Sequence, residues 1–114
     1  MNAKAVVARE AAAHQALLDE LKAAAEKLGL QVREERLLRE VGYRVRSGHC
    51  RLRADEIIFL DRGLPLQAQV EVLVDELARR SLDDIYLSPA ARALVERAAA
   101  REVLRDDGHE AHGG

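Results

Sequence analysis

The chain is short of the residues that usually announce chemistry. It has one cysteine, two prolines, no tryptophan, and aromatic side chains at only 3% of its 114 residues. Cys50 alone cannot close an intramolecular disulfide, which fits a reducing compartment. So few aromatics force an aliphatic core and leave no stacking platform for single-stranded nucleic acid. Net charge is also scarce, at −2 with both signs interspersed, which argues against a broad nucleic-acid footprint. No apolar run approaches the roughly 18 residues that span a bilayer. The opening MNAKAVVAREAAAHQ has one lysine, and its Ala/Val run is broken by Arg9 and Glu10, unlike a secretory signal. The expected location is the cytoplasm.

What is present is enough for one core. Hydrophobic residues reach 48%, and the length suits a single domain. Leu17, Leu18, Leu21, Ala25 and Leu28 recur at helical spacing, so a long helix is expected over about 3–28, closed by Gly29. Its first dozen residues lack bulky apolar groups except Val6 and Val7. Leu30 and Val32 alternate with Gln31 and Arg33, as in a strand. Tyr43 and Val45, then Cys50 and Leu52, alternate with polar neighbours, with Ser47-Gly48 between them. Ile57, Ile58, Phe59 and Leu60 are continuous, as in a central strand buried on both faces. Pro65 suits the start of a helix whose buried face is Leu66, Val70, Leu73, Val74 and Leu77. Ser88-Pro89 reads as the cap and first residue of a last helix reaching about 105. The expected fold class is therefore α+β: a long N-terminal helix, a small three-stranded sheet and two helices, in the order αβββαα. It makes a single domain over 1–105, followed by a disordered polar tail over 106–114.

Four constellations bear on function. Arg44, Arg46, Arg51 and Arg53 alternate along adjacent strands beside Tyr43, a cluster suited to phosphates or an acidic protein surface. Glu34, Glu35, Glu40 and Glu56 are the candidates to neutralise it across the sheet. His49 and Cys50 are adjacent in a strand, so they point to opposite faces and make a poor nucleophile–base pair. His109 and His112 lie in the glycine-rich tail, where weak chelation is incidental; His14 stands alone. The link SLDDIYLSP is rich in apolar residues. Leu82, Ile85, Tyr86 and Leu87 either lock the last two helices together or offer a ridge to a partner, and Val72 adds to the second reading.

The run EIIFLDRGLPLQAQVEVLVDELARR, with LGLQV before it, resembles the core of the ImmA/IrrE-type minimal metallopeptidases over about 28–80. In that family a helix carries His-Glu-x-x-His, two histidines for zinc and a glutamate to activate water. Glu76 has the position of the glutamate. Asp75 and Arg79 stand where the histidines would be, and a guanidinium stays protonated and cannot ligate zinc. An i,i+4 ion pair between Asp75 and Arg79 is the structural alternative. The resemblance thus implies a pseudo-zincin, a catalytically inactive relic. The string GHCRLR, EIIFLD and ELARRSLDDIYLSPAAR is also similar to a group of small uncharacterised bacterial proteins. That group is associated with accessory proteins working beside bacterial small GTPases in motility and polarity.

The expectation is a non-enzymatic interaction or adaptor module, regulatory in character. Its partner-binding residues would be Tyr43, Arg44, Arg46, Arg51, Arg53, Leu82, Ile85 and Tyr86. The expected partner is a protein with an acidic surface, with a homodimer left open, no membrane, and nucleic acid disfavoured. No residue is assigned as catalytic, cofactor-binding or metal-ligating. Two alternatives stand beside it. One is a hydrolase relic, or an active site using Glu76, His49 and Cys50, and stoichiometric zinc would favour the enzyme. A phosphate or nucleic-acid binder would use the arginines and would be revealed by salt-sensitive oligonucleotide binding.

Overall fold

A computed structural model describes residues 2–36, 48–52 and 55–113, without the side chains of 48–52 and 105–113. The first helix, α1 (Ala3–Lys27), begins where Asn2 supplies a cap: its Oδ1 accepts the Lys4 N–H at 3.0 Å. It ends in a six-to-one turn. The Leu30 N–H reaches the Ala25 carbonyl at 3.0 Å, and the Gly29 N–H reaches that of Glu26 at 3.0 Å. This closure needs a left-handed residue, and Gly29 provides it with φ of 86°. Leu30 and Ala25, both buried, meet across the turn.

The chain then enters β1 (Gln31–Glu35), β2 (Gly48–Leu52) and β3 (Asp55–Asp61). β3 lies between the other two, parallel to β1 with Val32 opposite Ile58, and antiparallel to β2 with Cys50 opposite Ile57. The continuous apolar run is explained by this central place. Ile58 and Leu60 belong to the cluster beneath the helices, whereas Ile57, also buried, lies outside that cluster on the other face. Asp61 ends the strand buried, its Oδ1 accepting the Gly63 N–H at 2.8 Å, and a turn closes with Leu64 N–H on the Asp61 carbonyl at 3.1 Å.

α2 (Leu66–Leu77) starts one residue later than expected, with Pro65 in extended backbone as its cap. Gln69, a polar residue outside the expected face, is buried because its Nε2 donates to the Leu64 carbonyl at 2.8 Å and ties the helix to the preceding turn. Val72 corrects a second expectation: it is half-buried and packs against the core rather than facing a partner. α3 runs Pro89–Gly113, through the stretch from 106 expected as a tail, led there by helix-favouring alanines and arginines.

The core is aliphatic, as the scarcity of aromatics requires. Leu18, Leu21, Leu73 and Leu77 are at most 2% exposed, each contributing roughly 1.5–3 kcal/mol before entropy. α1 gives it only its second half; none of residues 2–16 is buried. Among the described residues, no helix is long and apolar enough to cross a membrane.

Candidate functional site

The 81–88 link is anchored at three points. Leu87 is buried in the core, and Leu82 and Ile85 pack half-buried against it. The Ile85 N–H closes a turn on the Leu82 carbonyl at 3.1 Å. At its end Ser88 is held from 68 residues away: Glu20 of α1 accepts the Ser88 N–H on Oε2 at 2.6 Å and its hydroxyl on Oε1 at 2.8 Å. The Ser88 Oγ in turn accepts the Ala91 N–H at 3.3 Å, the expected cap of α3. A carboxylate at this helix N-terminus also meets the positive end of the helix dipole.

On this anchored link Tyr86 alone among the apolar residues turns outward, 78% exposed, with the carboxylates of Asp83 and Asp84 exposed beside it. Packing has taken Leu82, Ile85 and Leu87 from the expected ridge, and Tyr86 remains as its single free member. Among the described residues, the exposed Val7 on α1, and Val103 and Leu104 on α3, are the other large apolar groups at the surface.

The arginine cluster is only partly in view. Tyr43, Arg44, Arg46 and Arg53 lie outside the described residues, and Arg51 is placed by its backbone, opposite Glu56 in the β2–β3 register. Two of the glutamates expected to neutralise it also have partners on the helices. Glu34 accepts from Lys22 of α1 at 2.9 Å, and Glu56 lies 3.7 Å from Arg80. His49 and Cys50 sit opposite Ile58 and Ile57 in the same register.

The window that resembles a zinc helix is a structural ion network. Glu76 is buried, with its side chain 10% exposed, and its carboxylate faces two guanidinium groups, Arg79 at 3.7 Å and Arg80 at 4.0 Å. Arg80 continues to Glu56 on β3, and Arg79 continues to Glu102 on α3 at 3.6 Å. The expected pairing of Arg79 with Asp75 is replaced by these two partners, because α3 brings Glu102 across the end of α2. The network joins the last turn of α2 to the sheet and to α3. It contains one unmet donor, the buried Nε of Arg80. Among the described residues, no three His, Cys, Asp or Glu side chains are placed to hold a metal ion.

No protein-family model, curated protein or solved structure matches this chain. The geometry of the site therefore carries the functional argument by itself.

Proposed function

We propose that the chain is a non-enzymatic, cytoplasmic protein-interaction module on an αβββαα scaffold, acting as an adaptor. The observation that carries this reading is Tyr86. An aromatic in a chain with so few is held outside while every apolar neighbour on its link is packed inside. Aromatics on fixed backbone are good anchors, since they cover much area and lose little rotamer freedom on docking. The partner-binding surface is taken to combine Tyr86 with Arg44, Arg46, Arg51 and Arg53. The arginines speed and orient the encounter, and the aromatic slows departure.

The Glu76 network supports the same reading from the other side. A carboxylate engaged by two arginines within a helix junction serves packing, in keeping with a pseudo-zincin helix that has lost its histidines. The test is affinity capture from the native cell extract with wild type, Tyr86→Ala and Arg51→Glu. The expected result is a partner lost by about tenfold or more with either variant, a change of about 1.4 kcal/mol or more in binding, while urea unfolding stays unchanged for Tyr86→Ala. Undiminished capture by both variants rejects the proposal.

A further inference from the structure

α2 and α3 line a two-lobed cleft, each lobe about 220 Å³, and Glu71, Asp75 and Arg101 border both lobes. Arg97 borders one of them. Each helix carries like charges one turn apart, Glu71 and Asp75 on α2, Arg97 and Arg101 on α3. Like charges at that spacing weaken the helix that bears them. Opposed rows of opposite sign usually relieve this by pairing. Here, among the described residues, no ion pair within 4.0 Å joins either carboxylate to either guanidinium, although all four side chains are exposed. Between the rows, Val74 and Ala98 are only 4% and 5% exposed, and half-buried Leu94 gives the Arg97 lobe an apolar wall. The other lobe is mostly polar, so charge is the feature the two lobes share.

We propose that the cleft binds a small zwitterion, its ammonium on Glu71 and Asp75 and its carboxylate on Arg97 and Arg101. A simple anion would meet the α2 carboxylates, and a simple cation would meet the α3 guanidiniums. A molecule carrying both charges satisfies both rows, with the planar guanidinium matched to a carboxylate. A free amino acid and a short peptide with both ends free share this chemistry. Exposed charges are screened, so the affinity is modest and falls with salt, with Kd on the order of 1 mM.

The experiment is an amide NMR titration of the full chain with glycine, diglycine and triglycine, each to about 20 mM, well above that Kd. N-acetyl-triglycine and triglycine amide serve as capped probes. The expected result is saturable shifts along 67–75 and 94–102 with at least one free-ended probe; which one responds separates amino acid from peptide. Capping either end weakens binding by about tenfold or more, as loss of a charged contact predicts. Glu71→Gln with Asp75→Asn, and separately Arg97→Gln with Arg101→Gln, each abolish it. These four positions are on the surface, and the same spectra report whether each variant is folded. No saturable shift with any free-ended probe overturns the proposal, as does an equal response to the capped peptides.

Discussion

Removing Glu20 should loosen a helix whose cap, Ser88, lies 68 residues later in the chain. Its carboxylate accepts the Ser88 N–H at 2.6 Å and the Ser88 hydroxyl at 2.8 Å, and that hydroxyl caps α3 through Ala91. Hydrogen bonds to a charged group contribute about 1.5–3 kcal/mol each when buried. These two share one carboxylate and are only partly buried, so they do not add in full. The expected loss for Glu20→Ala is about 2 kcal/mol, and about 1 kcal/mol for Glu20→Gln, which keeps one acceptor without the charge. Ser88→Ala should cost about 1 kcal/mol for the cap. The double variant should fall short of the sum by about 1 kcal/mol, the coupling of contacting residues. Urea unfolding followed by far-ultraviolet circular dichroism measures all four variants. With m near 1.3 kcal/mol/M, Glu20→Ala should lower the midpoint by roughly 1.5 M. A midpoint within about 0.3 M of wild type, or additive single effects, would refute the inference that this contact fastens α1 to α3.

Three further outcomes follow from the same geometry. Gly29→Ala meets no atom within 4 Å, so its cost comes only from φ of 86°, about 1–2 kcal/mol by urea unfolding. Gly29→Asn should recover part of that loss, and equal stability of all three forms would contradict the left-handed cap. Asp61→Ala should cost about 1–3 kcal/mol, since it strands the Gly63 N–H in the turn that leads to α2; a loss under about 0.5 kcal/mol would show that water replaces the carboxylate there. Tyr86→Ala should leave stability within about 0.5 kcal/mol of wild type, as for other exposed sites; a larger loss would give the ring a packing role.

Local features of the fold were legible in the residues. Gly29 closes α1, Ser88 caps α3, and the faces of Leu18 and Leu21, and of Leu73 and Leu77, follow from helical spacing. The continuous apolar run from Ile57 announced a strand buried on both faces. What escaped were contacts made by distant parts of the chain. Nothing in the residues around Glu20 foretells that α3 brings Ser88 to it. Arg79 looks like a partner for Asp75 until Glu102 arrives from another helix. Nothing in the sequence marks Gln69 and Glu76 as buried, because polarity alone cannot show an acceptor on a neighbouring turn or a guanidinium above a helix end. In the link, composition identified the apolar residues, but only packing separated Tyr86 from Leu82, Ile85 and Leu87.

The most direct test of docking through Tyr86 is a photocrosslinking side chain at position 86, activated in the source cell, with the same group at exposed Gln67 as control. One discrete protein adduct is expected from position 86, absent from position 67 and lost when Arg44 and Arg51 are reversed in charge. No adduct, or the same diffuse labelling from both positions, would contradict it.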